Sequence, residues 1–177
     1  MRLFIAIDFN ELKEDLTNIQ NNIDESLAKL KKTDTFHLTL KFLGKVSQDK
    51  AEQIKNKLKQ IKFQKFRLTI DKIGVFPKED YIRVIWMGVK PQEQVIELQK
   101  QIEDELKEFN FKKDVEFHPH ITLVRVKSID KREEFSNNLK NLKPREKTIE
   151  VTSFKLIESR LTRKGPVYED FEVFPTT

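Results

Sequence analysis

The sequence predicts an α+β fold of two pseudo-symmetric lobes, each with an antiparallel sheet and two helices, flanking a central cleft. The first observation is that segments with strand and helix periodicity alternate as strand–helix–strand–helix–strand, and that this order occurs twice. The second is a His-x-Thr motif at His37 that recurs 83 residues later at His120. We therefore expect one domain over residues 1–177, with duplicated halves at roughly 1–78 and 79–177.

The first half opens with a short apolar run over residues 3–7, which is typical of a buried strand. After Asn10, a predicted N-cap, apolar residues recur at spacings of three and four as far as Leu30, which predicts an amphipathic helix. The later predicted elements are a strand over 36–43, a helix over 48–61 capped by Ser47, and a strand over 66–70 before a turn around Gly74 and Pro77.

The second half repeats this order. Pro91 suits the first turn of a helix, and the apolar residues that follow it have helical spacing as far as Leu106. The other predicted elements are strands over 83–89, 118–124, 148–157 and 168–174, with a helix over 131–142 and a turn at Gly165 and Pro166.

Composition excludes several classes of protein. The 14 Phe and many aliphatic residues are enough for a core, so a disordered chain is not expected. Without Cys there is no disulfide framework, zinc ribbon, iron–sulfur cluster or thiol nucleophile. No apolar run approaches the ~20 residues of a membrane span, and Asp8 comes too early for a signal sequence. We expect a soluble, cytoplasmic monomer.

The chain has 34 Lys and Arg against 29 Asp and Glu, a net charge of +5. Basic surfaces of this kind are common as solvated helix faces, and they also suit a polyanionic partner. Composition alone does not choose between these interpretations.

The repeated motif predicts a reaction centre. Side chains alternate along a strand, so His37 and Thr39 project from one face, about 7 Å apart, and His120 and Thr122 do the same. Facing lobes would bring two imidazoles and two hydroxyls into one cleft. Phosphodiester hydrolysis needs such groups: one His takes a proton from water, the other protonates the leaving oxygen, and the hydroxyls hold the non-bridging oxygens. Imidazole exists in both protonation states near neutrality.

A metal site is the alternative use of these histidines, because His118 shares strand parity with His120. The chain has only three His and no Cys, and no carboxylate is marked as a further ligand. We therefore predict neither a metal nor another cofactor, and we place His118 at the rim of the site or in a structural role.

Several stretches carry a resemblance to a known family: 1–8, 37–44, 74–77, 83–86, 119–125, and the tail with Ser159, Gly165, Pro166 and Tyr168. The sequence resembles the two-histidine phosphoesterase superfamily, in particular the RNA 2′,3′-cyclic phosphodiesterases, historically called 2′-5′ RNA ligases. These stretches span nearly the whole chain in the family's order, and the two copies of the motif make the resemblance specific.

The resemblance implies a bilobal fold with a basic cleft that hydrolyses terminal 2′,3′-cyclic phosphates of RNA to 2′-phosphates without a metal. His37 corresponds to the general acid that protonates the 3′ oxygen, and His120 to the base, although sequence symmetry leaves these two labels exchangeable. Thr39 and Thr122 correspond to the phosphate-holding hydroxyls. Reverse, ATP-independent 2′-5′ ligation is a secondary expectation, and the expected partners are RNAs with cyclic phosphate ends, tRNA halves among them.

Two basic residues are further candidates for phosphate contact. Arg125 matches a phosphate-binding residue of the family, although strand parity places it on the face opposite His120. A bulge or a strand end after Leu123 would resolve that conflict. Lys41 shares parity with His37 and is the second candidate.

Two alternatives remain open at this point. The same chemistry could act on a small cyclic nucleotide instead of an RNA end. The chain could also be a basic RNA-binding module without catalysis, in which aromatic residues stack on bases. The aromatic candidates are Phe42, Phe76, Trp86 and Tyr168, and for Phe42 and Trp86 core packing within a strand is favoured over stacking.

Overall fold

A computed structural model describes all 177 residues and confirms an α+β fold. The strands are β1 (Arg2–Asp8), β2 (Ala28–Lys32), β3 (His37–Lys45), β4 (Phe66–Lys78), β5 (Tyr81–Lys90), β6 (His120–Ile129), β7 (Lys147–Val151), β8 (Ser153–Thr162) and β9 (Gly165–Pro175). The helices are α1 (Lys13–Asn21), α2 (Gln48–Leu58), α3 (Glu93–Glu105) and α4 (Arg132–Asn141). None of these helices combines the length and apolar character that crossing a membrane requires.

The strands form one curled antiparallel sheet in the order β7-β4-β5-β6-β3-β1-β8-β9, and β2 pairs with β6. The two strands that carry the His-x-Thr motifs, β3 and β6, meet in the middle of this order through a single pair, Leu38 and Ile121. Beyond that pair, the edge of β6 is taken up by β2. The two lobes are therefore continuous through the motif strands.

Strands of the two sequence halves pair with one another. Of the first-half strands, β4 pairs with β5 and β7 of the second half, and β2 pairs with β6 of the second half. Of the second-half strands, β8 pairs with β1 of the first half and with its own neighbour β9. This exchange ties the two sequence halves together in one sheet.

Two apolar clusters hold the helices against one face of the sheet. The larger, of 33 buried residues, packs α1, α2 and α3 against strand residues that include Leu38 and Ile121. The smaller, of 8 buried residues, packs α4 through Phe135 and Leu139. Because side chains alternate along a strand, the neighbours of Leu38 and Ile121 point to the opposite, open face.

The first predicted helix is too long. α1 ends at Asn21, and residues 28–32 form β2 on β6 instead. Asn10 is not the N-cap, since its side-chain oxygen accepts from the Phe36 backbone N–H at 3.0 Å. Leu27 and Leu30 still pack against the apolar cluster under α4. Apolar residues therefore continue at helical spacing beyond Asn21, where the helix ends, because these positions are buried in either conformation.

Two other boundaries differ from prediction. The single strand predicted over 148–157 is two strands, and they pair at opposite ends of the sheet. Gly74 and Pro77 lie inside β4 rather than in a turn, and a Cβ at Gly74 would sit 2.2 Å from the Trp86 indole. The three later helices are close to prediction, and the Ser47 cap is confirmed by a 3.2 Å hydrogen bond from the Lys50 backbone N–H.

Candidate active site

The pairing of β3 with β6 brings the two motifs together. Because Leu38 lies opposite Ile121 in an antiparallel pair, His37 faces Thr122 and Thr39 faces His120. All four motif side chains are half-buried on the open face of the sheet. Cβ atoms at directly opposed positions are about 5 Å apart, so this register brings the four motif residues together on one face of the sheet.

A bulge in β6 brings Arg125 to the same face. Ile85 pairs with Val124 and Trp86 with Thr122, so Leu123 is left without a partner on β5. Leu123 and Val124 are both buried, and Arg125 is exposed. The structure therefore contains the bulge that the assignment of Arg125 required. The Arg125 guanidinium is close enough to lower the pKa of both His120 and Tyr168. Burial has the larger effect on each group: it lowers the pKa of His120 and raises the pKa of Tyr168.

A matching bulge in β3 removes Lys41 from this face. Ala6 pairs with Thr39 and Ile5 with Lys41, so Leu40 is left out of the register. The Lys41 side chain is only 2% exposed, where it pairs with Glu103 at 2.7 Å and donates to the Lys112 carbonyl at 3.1 Å. Lys41 therefore does not face the motif histidines, and the prediction that it contacts phosphate is wrong.

Phe42 takes the position that parity had assigned to Lys41. It is 70% exposed, and its ring centroid lies 6.1 Å from that of Phe4. The expectation that Phe42 packs in the core is therefore wrong as well. By the repeat, Phe42 corresponds to Arg125, because each follows the bulge of its motif strand.

His37 lies in an aromatic corner. Its ring centroid is 4.9 Å from Phe4 and 5.3 Å from Tyr168, which meets it edge to face. Burial lowers the pKa of His37 to about 4, and the carboxylate of Asp8, its pairing partner on β1, opposes this shift. Lys155 is 2.9 Å from Asp8 and holds that carboxylate in place.

His120 lies in a second aromatic corner. Phe76 meets its ring edge to face at 4.9 Å, and Trp86 is 6.0 Å away. The Nδ1 atom lies 2.7 Å from the His118 carbonyl, which can only accept, so Nδ1–H is the donor and the neutral ring keeps its lone pair on Nε2. Burial is the main cause that lowers the pKa of His120. The hydrogen bond to the His118 carbonyl opposes this shift, and the charges of His118 and Arg125 lower the pKa further.

The His118 side chain is exposed at the rim and lies 3.4 Å from Glu116. His118 contributes its backbone carbonyl to the site, and the charge of its side chain lowers the pKa of His120. No group of three or more His, Asp or Glu side chains is arranged to hold a metal ion. Phe4 and Asp8 were not predicted as site residues from the sequence. Asp8 ends the apolar run of β1, which was the available sign that this strand reaches a polar site.

The sequence matches the family described as LigT like phosphoesterase twice, over residues 7–86 and 88–168. The chain belongs to this LigT-like phosphoesterase family. It is 36% identical over 171 residues to a protein of Methanocaldococcus jannaschii named RNA 2′,3′-cyclic phosphodiesterase, covering 96% of this chain and 97% of the relative. A protein of the same name from Archaeoglobus fulgidus is 33% identical over 177 residues, with 98% of this chain and 99% of the relative covered.

Solved structures of LigT share the fold. The structure of Escherichia coli LigT complexed with 3′-AMP has a TM-score of 0.79 and 26% identity, covering 99% of this chain and 97% of that one. A structure described as a phosphoesterase gives 0.81 at 28% identity, with 99% and 98% covered. The LigT-like fold thus extends over the whole chain, and the duplicated motifs lie at its centre.

Proposed function

We propose that this protein hydrolyses the 2′,3′-cyclic phosphate at the end of an RNA strand to a 2′-phosphate. The observation that carries the proposal is the Leu38–Ile121 pair, which sets both His-x-Thr motifs against each other on one face. The relatives from M. jannaschii and A. fulgidus, both named RNA 2′,3′-cyclic phosphodiesterase, support the substrate class.

The reaction needs one proton removed and one proton supplied. Water attacks phosphorus while Nε2 of His120 takes its proton, and the bond between phosphorus and O3′ breaks. His37 donates a proton to the departing O3′, so the products are a 2′-phosphate and a 3′-hydroxyl. The hydrogen bond from Nδ1–H of His120 to the His118 carbonyl leaves Nε2 as the proton acceptor, which supports the basic role of His120.

Neighbouring charges support the same assignment. Asp8 favours a proton on His37, and Arg125 disfavours one on His120. Without substrate, burial keeps His37 neutral at pH 7, since its pKa is about 4. An anionic phosphate next to the ring raises this pKa, so substrate binding loads the acid with its proton.

The remaining groups hold the phosphate. Thr39 and Thr122, which the β3–β6 register sets opposite His120 and His37, donate their hydroxyls to the non-bridging oxygens. Arg125, brought to this face by the bulge, balances the negative charge that develops during attack.

We further propose that the reaction needs no metal ion and that a 5′-hydroxyl can replace water, which gives a 2′-5′ link without ATP. Hydrolysis dominates because water is abundant. The protein acts as a monomer in the cytoplasm, and fragments such as tRNA halves are candidate substrates.

The direct test is incubation of an oligoribonucleotide ending in 2′,3′-cyclic phosphate with the protein in EDTA, followed by identification of the hydroxyl that keeps the phosphate. We expect a 2′-phosphate at a rate that chelation does not change. A 3′-phosphate would contradict the roles of the two histidines, loss of activity in EDTA would contradict metal independence, and no turnover would reject the proposed function.

A further inference from the structure

Tyr168 reaches the catalytic face from the outer strand of the sheet. It lies on β9, which is separated from β3 by β1 and β8. Neighbouring strands are about 4.8 Å apart, so a flat sheet would place β9 about 14 Å from β3. The sheet is curled, and the ring centroids of Tyr168 and His37 are 5.3 Å apart. The curl therefore brings β9 over the His37 corner.

The Tyr168 ring is fixed by its neighbours, whereas its hydroxyl has no partner in the protein. The ring meets both His37 and Phe4 edge to face, with a centroid distance of 5.5 Å to Phe4, and the residue is 36% exposed. The hydroxyl forms no hydrogen bond to another group of the protein. A phenol hydroxyl is both a donor and an acceptor. An ordered ring thus presents a hydroxyl that is available to a ligand of this site.

Arg125 acts on the same hydroxyl from the other side of the motif strands. In the strand order, β6 with Arg125 and β9 with Tyr168 lie on opposite sides of β3. The guanidinium nevertheless lowers the pKa of Tyr168, while burial, the larger effect, raises it. The net shift of the pKa is upward, so the hydroxyl is protonated at neutral pH and can donate. Tyr168 is thus linked to both corners: its ring contacts His37, and its hydroxyl interacts with the cation that also lowers the pKa of His120.

We propose that Tyr168 is a catalytic residue whose hydroxyl donates a hydrogen bond to a non-bridging oxygen of the cyclic phosphate. This inference rests on the proposed function, and it adds a third hydroxyl to those of the two motif threonines. A phosphate held between the two imidazoles and Arg125 comes within reach of this hydroxyl. Negative charge grows on the non-bridging oxygens as water attacks, and a fixed donor stabilises that charge. The proton stays on the Tyr168 oxygen throughout, so the acid and base roles of the histidines are unchanged.

Tyr168→Phe tests the proposal, because it removes the hydroxyl and keeps the ring against His37. We expect kcat/KM for a cyclic phosphate to fall by about 10- to 100-fold, as for the loss of a hydrogen bond to a charged group. The pKa of His37, measured by NMR, should stay at about 4, since the ring that buries it remains. Tyr81→Phe is the matched control: it removes the only other Tyr hydroxyl, at the exposed start of β5, and should leave kcat/KM unchanged. Wild-type kcat/KM in Tyr168→Phe, or a loss accompanied by a changed pKa of His37, would overturn the proposal.

A second measurement does not require turnover. Inorganic phosphate offers the site only phosphate oxygens, so it should bind Tyr168→Phe roughly tenfold more weakly than the wild type in isothermal titration calorimetry at pH 7. Tyr81→Phe should bind it as the wild type does. Equal phosphate affinity of Tyr168→Phe and the wild type would overturn the contact. Failure of the wild type to hydrolyse a cyclic phosphate would instead reject the proposed function, and phosphate affinity would still test the contact, so the two failures are distinguishable.

Discussion

The corners around His37 and His120 have similar shapes and different charges. Each imidazole packs against two aromatic rings, and each is shifted by burial toward the neutral state. The nearby charge at His37 is the carboxylate of Asp8, whereas at His120 the nearby charges are those of His118 and Arg125, both cationic. The duplicated motif thus builds two alike halves of a site, and residues outside the motif make them unequal.

Hydrogen bonding adds to this difference. The His118 carbonyl holds Nδ1–H of His120, which fixes the tautomer of that ring. The structure shows no hydrogen bond from the His37 ring to the protein, so this ring is oriented by the aromatic rings of Phe4 and Tyr168. A fixed tautomer suits a base that must present Nε2 to water.

The largest predicted effect comes from removing either imidazole. His37→Gln and His120→Gln should each lower kcat on a cyclic phosphate by about 10³-fold, since positioned acids and bases contribute about 10²–10⁴. Steady-state kinetics measures this effect, and circular dichroism checks that each variant is folded. A rate near that of the wild type in either variant would show that the two corners do not act on one phosphate.

Arg125→Gln should have the next largest effect, a fall in kcat/KM of about 10²-fold, because it removes charge stabilisation of the phosphate. The cation also lowers the pKa of His120, so its removal should move the acidic limb of the pH–rate profile to higher pH. Arg145→Gln, in an exposed loop, is the control and should leave both quantities unchanged. A rate loss without movement of the limb would mean that Arg125 does not influence His120.

Asp8→Asn should act on the other corner. The carboxylate raises the pKa of His37, so its removal should lower that pKa and move the alkaline limb to lower pH, by about one unit. Asp170→Asn is the matched control, because Asp170 binds the same Lys155 at 2.9 Å without contributing to the shift of His37. Equal displacement in both variants would assign the effect to Lys155 rather than to Asp8.

The smallest predicted effect is on folding. The pKa of His37 is about 4 in the folded protein against about 6.5 unfolded, so the unfolded chain binds more protons between these values. The stability contributed by neutral His37 is therefore fully present above about pH 6.5 and is lost as the pH falls toward 4, by at most about 3 kcal/mol. Urea unfolding of wild type and His37→Gln across this range should show the wild type gaining stability relative to the variant as the pH rises from 4 to 6.5. A constant difference would mean that the His37 ring is not desolvated.

The meeting of the two motifs was predictable because the alternation of side chains along a strand is a local property. His37, Thr39, His120 and Thr122 all reach one face for this reason. The face on which Lys41 lies was not predictable, because it depends on a bulge. The bulges depend on how β1 and β5 pair with the motif strands. At Arg125 the family resemblance indicated a site residue in spite of its strand parity. At Lys41 no second signal corrected the prediction from parity.

Strand β2 shows a second limit of the sequence pattern. Leu27 and Leu30 continue the helical spacing of α1, and they are drawn to the same cluster whether the backbone is helical or extended. The side chain of Gln20 donates to the Leu123 carbonyl at 2.8 Å, a contact 103 residues distant in sequence. Tertiary contacts of this kind end the helix, and periodicity carries no information about them.

Replacing O3′ with sulfur separates the two roles, in which His37 protonates the leaving O3′ while His120 activates water. A thiolate leaves without a proton, so a 3′-thio cyclic phosphate should restore the rate of His37→Gln toward that of the wild type and leave His120→Gln inactive. Single-turnover kinetics should show that pattern. Rescue of His120→Gln instead, or equal rescue of both variants, would contradict it.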